Sequence, residues 1–462
     1  MMKKLFFLTA FLGVAIIANA QVWTQQNTNF PGTSIGVDEI SVVDANTVWV
    51  KGFNGSGTGP AIKAFSKTTN GGTTWTAGTI GLTGTIMPYC FAASSASKAF
   101  VIALDTVSSA ASYWGTLDGG STWAPVAGLF GGASSFPDGV KFWDGSKGFC
   151  YGDPLSGFYE IYTTTDGGST WTAATTSVAP VPAATEYGYN GADCATIVPG
   201  TGFGAFITNY GRVIKTTDYG VTWSLTPTAP FPSASYGSVK IYASSANYMF
   251  AATYVTATTT WTWKITSDGG ATWNLYTPAS GPWYEYAMCY VPGTPNTFVA
   301  TSPFSSSVVG VAYSYDGGLN WADYLDPLLQ PAGSNVQCLG VGYSDRTTGW
   351  VGNYDQATTI NSILKYYDPN AGINLQQTVN GNDVNIYPNP TNGLVNFAIN
   401  GANTEDMNIT VFDVMGKMII NQTLNVNGLT NTSFDFSSYA KGVYVVQVTS
   451  GTEITTKKLM VQ

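Results

Sequence analysis

The sequence of 462 residues contains no histidine. Nucleophilic catalysis by Ser-His-Asp or Cys-His sets, zinc bound by imidazole, and the usual acid–base group for neutral pH are therefore all excluded. Arginine is nearly missing too, with only Arg212 and Arg346. Charged residues make up 10% of the chain and the formal net charge is −9, so nucleic acid finds no basic footprint and is not an expected partner. Sustained amphipathic helical periods are absent. Beyond the N-terminus no apolar run reaches the roughly 18 residues a membrane helix needs, so no transmembrane segment is expected. What the chain does have is 44% hydrophobic residues, 14% aromatics and 53 glycines, a profile of short strands and tight turns rather than disorder. A chain of this length exceeds one ordinary core, which points to several sub-structures or a repeat array.

The first twenty residues read as an export signal. Lys3 and Lys4 precede an apolar run from Leu5 to Ile17, followed by Ala18-Asn19-Ala20, with cleavage expected before Gln21. No cysteine follows that site, which argues against a lipoprotein anchor.

One short pattern then recurs: TTNGGTTW from Thr68, TLDGGSTW from Thr116, TTDGGSTW from Thr164, TTDYGVTW from Thr216, TSDGGATW from Thr266 and SYDGGLNW from Ser314. Its third residue is Asn70, Asp118, Asp166, Asp218, Asp268 and Asp316, at intervals of 48, 48, 52, 50 and 48 residues. A worn copy places Asp368 another 52 residues on. Gly supplies the positive φ of a tight turn, and Asp or Asn caps its own turn by bonding nearby backbone N–H groups. The Trp is expected to plug the gap between neighbouring sheets. Around each copy lie runs that read as four strands; in the fifth these are Val239–Ala243, Tyr248–Tyr254, Thr258–Ser267 and Thr272–Leu275. Seven four-stranded units predict an all-β, seven-bladed β-propeller over residues 21–378. Val22-Trp23-Thr24-Gln25 resembles a fourth strand without its first three, so it is expected to complete the seventh blade. A solenoid, with two open ends, is the alternative.

The (Ser/Thr)-x-Asp-x-Gly-x-Thr-Trp repeat resembles the Asp box of the BNR/sialidase-like propellers, and its spacing is most similar to the photosystem II assembly factor and sortilin-type propellers. That resemblance implies that Asn70, Asp118, Asp166, Asp218, Asp268 and Asp316 are structural turn residues on the hairpin rim, away from the ligand face.

Residues 379–383 read as the end of a polar linker, and 384–462 as a second, smaller unit with alternating strands, expected to be an Ig-like β-sandwich. Its ordered motifs are Tyr387-Pro388-Asn389-Pro390, Asp413-x-x-Gly416-Lys417, Gly442-Val443-Tyr444 and a final Lys457-Lys458-x-x-Val461. Together they resemble the type A C-terminal sorting domain of the Bacteroidetes type IX secretion system. This implies that the secretion machinery handles the chain through 384–462 and that the mature protein reaches the outer cell surface or the medium after the signal peptide and the sorting domain are removed.

Propeller ligands usually sit at the funnel where loops enter the innermost strands. Aligning the repeats places Tyr89, Asp138, Tyr187, Tyr189, Tyr236, Trp283, Tyr284 and Glu285 at that rim, with Asp38 and Asp193 nearby. Flat aromatic faces with a few acceptors suit a sugar ring, although the same aromatics could simply pack between blades. Sialidase chemistry requires an arginine cluster, which two arginines cannot form. A glycoside hydrolase needs only two carboxylates, for which Asp138 and Glu285 are the candidates. The leading expectation is a non-catalytic binder of extracellular glycan or protein; the alternatives are that hydrolase and a structural adhesin or surface-layer component. No cofactor motif is present: Gly55 to Pro60 has no helix after it to cradle a phosphate. No loop shows a known calcium spacing. The five cysteines, an odd number, are expected to be free thiols, with Cys90, Cys194, Cys289 and Cys338 at the repeat position of Ile40 and Val140.

Overall fold

A computed structural model of the chain describes residues 23–32, 34–55, 62–132, 134–174, 182, 185–231, 237–255, 260–302, 310–324, 336–355, 360–367, 383–414, 416–450 and 453–462. The export signal, Tyr236 and the worn Asp368 copy lie outside these residues, as does the linker apart from Asp383.

Residues 23–367 form seven separate four-stranded antiparallel sheets. In blades 1 to 6 the strands follow chain order from the inner to the outer edge; blade 1 is Ile35–Val42, Val48–Asn54, Ala64–Thr68 and Thr76–Thr79. Blade 7 is built from both ends of this region. Val336–Asp345, Thr348–Asp355 and Ile360–Tyr367 supply three strands, and Trp23–Asn27 supplies the fourth, pairing Trp23 with Tyr366. The ring is thus closed by the strand expected to close it. In the fifth blade the first three strands, Ser238–Ala243, Met249–Val255 and Thr260–Thr266, fall within one or two residues of the expected boundaries. Its fourth strand is only Asn274–Leu275, because Thr272 and Trp273 still belong to the turn.

There is no single core. Seven hydrophobic clusters lie in the seven gaps between neighbouring blades, as with Trp49 and Phe65 of blade 1 against Phe91 and Val101 of blade 2. The Trp of each repeat packs backwards onto the preceding blade. Ring centroids are 5.7 Å apart for Trp123 and Phe65, 5.8 Å for Trp171 and Phe100, 5.1 Å for Trp223 and Phe149, and 5.4 Å for the ring-closing Trp23 and Tyr324. Donors from one blade also reach the next blade's turn. Lys67 bonds Gly119 O at 2.7 Å, Lys215 bonds Gly269 O at 2.8 Å, and Lys365 bonds Gly71 O at 2.7 Å across the closure between blades 7 and 1.

All six clear repeats share one hydrogen-bond pattern. The leading Thr or Ser hydroxyl donates to the Asp or Asn Oδ1 at 2.7–3.0 Å and accepts the N–H of the second Gly position. The N–H four residues beyond the Asp also reaches that Oδ1, at 2.9 Å.

The tail is all-β. Asp383–Tyr387, Leu394–Asp413, Met418–Asp435, Gly442–Ser450 and Glu453–Val461 are hydrogen-bonded into one five-stranded sheet, rather than the two separate sheets of a sandwich. The long strand Leu394–Asp413 pairs with three others, and one core that includes Phe397, Ile409, Val446 and Leu459 serves the whole unit. The motifs have local causes. Asn389 bonds Lys458 O and accepts the Met460 N–H, tying the Pro-Asn-Pro turn to the last strand. Asp413 accepts the Lys417 N–H at 2.9 Å over a turn in which Gly416 has φ +80°. Tyr387 Oη donates to Asp316 Oδ2 at 2.8 Å, which makes blade 6 the point where the tail touches the propeller's turn.

Candidate functional site

The innermost strands surround a cavity of about 1020 Å³. The pairing register explains which side chains face it. In each blade the residue one step inside the shared register point lines the wall: Ser41, Ala92, Lys141, Thr196, Tyr242, Cys289 and Gly342, one from each blade. Most are small, which leaves the centre open, and Lys141 is the single charged member. Two residues earlier, the same count gives Glu39 in blade 1 and Lys240 in blade 5, both also on the wall. Cys90 occupies this second position opposite Ile102, level with Glu39 and Gly139. The expected equivalence with Ile40 and Val140 is therefore one residue out: the register puts Phe91, not Cys90, level with them. All five cysteines are free. Burial raises the Cys90 thiol to about 12, so it is inert at neutral pH.

Those bulges fall between Val37 and Glu39, Pro88 and Cys90, and Pro137 and Gly139. The inserted residues are Asp38, Tyr89 and Asp138, and re-aiming one side chain is what a bulge does. Asp38 lies on the cavity wall and pairs with Lys51 at 2.9 Å, with Glu39 3.8 Å from the same ammonium. Glu39 Oε1 accepts the Phe91 N–H of blade 2 at 2.9 Å, and Ser41 accepts the Ala93 N–H at 2.8 Å. Burial, opposed by the Lys51 charge, raises Glu39 to about 7. On the far side Lys240 donates to Glu285 O at 3.0 Å and to Tyr286 O, with Asp193 at 3.9 Å and the Trp261 ring 4.5 Å away.

The expected rim residues divide into two groups. Tyr89, Trp283, Tyr284 and Glu285 line the cavity. Tyr89 is 44% exposed, and Glu285 is exposed and accepts from Trp283 Nε1 at 3.2 Å. Trp283 and Tyr284 also pack within the structure. Trp283 lies 4.7 Å from Trp321 and 5.0 Å from Trp263, and the Tyr284 hydroxyl is committed to Asp323 at 2.6 Å. Tyr187 and Tyr189, 5.8 Å apart, sit off the cavity wall.

Asp138 corrects the expectation that it stands at the rim. It is 1% exposed, is not on the cavity wall, and sits so close beneath Gly188 that a Cβ there would come within 2.2 Å of its Oδ2. Burial, with the nearby Asp153 charge adding to it, holds its carboxyl protonated well above the usual range, and burial raises Asp153 to about 6. The pair proposed for hydrolysis, Asp138 with Glu285, is thus not assembled in the cavity. Neither arginine lines the cavity, and Arg212 is spent on buried Glu186 at 2.7 Å. None of the six turn residues from Asn70 to Asp316 lies on the cavity wall.

Sequence reasoning missed the three lysines, Lys51, Lys141 and Lys240, and the aromatic pair Trp261 and Tyr286 as a cation's neighbours. The signal was available in part. Counting inward from each repeat's leading Thr through the strand pairing identifies the facing positions, but that pairing joins strands whose connecting loops differ in length from blade to blade.

Residues 385–462 match the family of secretion system C-terminal sorting domains. The tail is therefore a type IX sorting domain, and it marks the chain for secretion to the cell surface or beyond. Among the described residues no helix is long and apolar enough to cross a membrane. No curated protein matches the chain. Among solved structures, similar chains include YCF48 from Cyanidioschyzon merolae (15% identity, TM-score 0.47, covering 75% of this chain and 99% of that one) and a Trypanosoma rangeli sialidase in complex with the inhibitor DANA (9% identity, TM-score 0.43, covering 94% and 89%). The Hadza microbial sialidase Hz136 is also similar, at 13% identity and a TM-score of 0.39, covering 72% of this chain and 65% of that one. At these levels the propeller assignment rests on the strand pairing described above. The chain is a β-propeller that carries a type IX sorting domain.

Proposed function

We propose that the mature protein, spanning residues 21–378 once the export signal and sorting domain are removed, is a non-catalytic propeller that binds extracellular glycan in its central cavity. The observation that carries this reading is the cavity itself, open at about 1020 Å³ and walled by Tyr89, Trp261, Trp283 and Tyr286 between polar side chains. A sugar ring offers an apolar face for such aromatics and hydroxyls for the acceptors around them. Catalysis is disfavoured because Glu285 has no second carboxylate in the place foreseen for it.

The test uses the full chain with labelled polysaccharides and size-exclusion chromatography. The expected result is co-elution of label and protein at unchanged polymer length. Tyr89→Ala combined with Tyr286→Ala, at positions 44% and 37% exposed, should weaken binding at least about tenfold while leaving the melting temperature near that of the wild type. Shortened label would show hydrolysis and overturn the non-catalytic reading. Label that never co-elutes would overturn the glycan reading and favour a protein partner.

A further inference from the structure

We propose that the ligand of this cavity is an acidic sugar, a uronate-bearing oligosaccharide whose carboxylate is anchored by the Lys141 ammonium. This rests on the glycan reading above and narrows it to one chemical class.

The argument starts from which charges in the wall are already committed. Lys51 is held by Asp38 and Glu39, and Lys240 by two backbone carbonyls with Asp193 beside it. Lys141 differs: among the described residues it has neither a hydrogen-bond nor an ion-pair partner, although it is partly buried and lines the cavity. It stands in a ring whose other six members are uncharged and mostly small, so a ligand can approach it. A partly buried ammonium without a partner favours an anion that brings its own negative charge, because desolvation has already been paid in part by the fold. Glu39 is within electrostatic range of Lys141, yet burial raises it to about 7, so near neutral pH it is only a partial counter-charge.

A sugar fits better than a peptide for a reason also visible in the wall. A peptide entering a propeller channel would be held by main-chain bonds to the exposed inner-strand edges. Here edge groups of blades 2 and 7 are already taken: Glu39 and Ser41 accept the N–H groups of Phe91 and Ala93, and Thr301 donates to Leu339 O at 2.6 Å. Aromatic faces and side-chain polar atoms remain, and those suit a ring bearing hydroxyls and one carboxylate.

Isothermal titration of the full chain tests this with trigalacturonate, its neutral trimethyl ester and triglutamate as probes. The acid should bind at least about tenfold tighter than the ester. Lys141→Met should bring the acid down to the level of the ester without changing ester binding, and Lys141→Arg should keep the preference. Because Lys141 has no bonded partner, the Met variant is expected to melt with the wild type; if it does not, the comparison of Lys141→Arg with Lys141→Gln carries the test. Equal binding of acid and ester, or a preference that survives loss of the charge, overturns this inference and leaves the glycan reading standing. Binding of neither sugar overturns both. Tighter binding of triglutamate than of trigalacturonate assigns the cavity to an acidic peptide and also overturns it.

Discussion

The repeated carboxylate in the propeller's turns is an anchor for backbone N–H groups, and its chemistry shows in its acidity. Asp118 is held down to about 2, first by the hydroxyl of Thr122 and then by the Thr122 N–H and Thr116. The first repeat offers a natural comparison. Asn70 keeps the Oδ1 bonds, while its Nδ2 donates to Thr74 Oγ1 where Asp118 Oδ2 accepts from Thr122 Oγ1. The threonine hydroxyl simply reverses its role. Asp118→Asn should therefore be nearly neutral at pH 7, whereas Asp118→Ala, which removes the acceptor, should lower the melting temperature. The pH sign follows from the depressed value. The stabilisation from the ionised carboxylate is complete above the usual carboxylate pKa near 4 and is lost as pH falls towards about 2. Melting curves between pH 2 and 6 should show a shallower acid-side decline for Asp118→Asn than for the wild type.

At the level of the element, the turn glycines are where one blade meets the next. Gly168 has φ +91°, and a Cβ added there would lie 2.2 Å from the Phe100 ring of blade 2. Two penalties then coincide, a left-handed backbone and a collision with a packed ring. Gly168→Ala should cost about 1–3 kcal/mol in chemical denaturation. Ser169→Ala, one residue on and exposed, is the control and should change little. The tyrosine of the tail's Pro-Asn-Pro motif works at the same scale. It takes the second oxygen of Asp316, which is 2% exposed, while Asp118 in blade 2 is exposed to solvent.

For the whole molecule, closure decides stability, because each blade packs only against its neighbours and no central core compensates for an opened ring. Trp23 bears that load. It is fully buried, pairs with Tyr366 and packs against Tyr324 of blade 6. Trp23→Ala should cost about 3–5 kcal/mol, the range for a deleted buried aromatic. It should also open the seam between blades 6 and 7 first. Hydrogen exchange across Ile360–Tyr367 should rise more than across blade 3. Equal exchange in the two regions would show that the ring does not depend on this strand.

Much of this was legible in the amino-acid sequence alone because it is local and repeated. The Asp-Gly-Gly turns, the strand count, the ring-closing Trp23 segment and the sorting motifs depend on residues close together in the chain, and six copies make the pattern plain. The cavity was only partly legible, for a physical reason. Which side chains face the centre depends on strand register, and a single-residue bulge in each of the first three blades inserts a side chain whose surroundings only the fold decides. The bulge leaves Asp38 on the wall and Tyr89 at the rim but sends Asp138 beneath Gly188, from the same position in three repeats. Lys51 meets Asp38 and Glu39 inside its own blade, but the hold on Lys240 by groups about 45 residues away, and the lack of a bonded partner for Lys141 among the described residues, follow only from how seven blades converge. Local chemistry determined the propeller; the convergence of its inner strands decided which side chains line the central cavity.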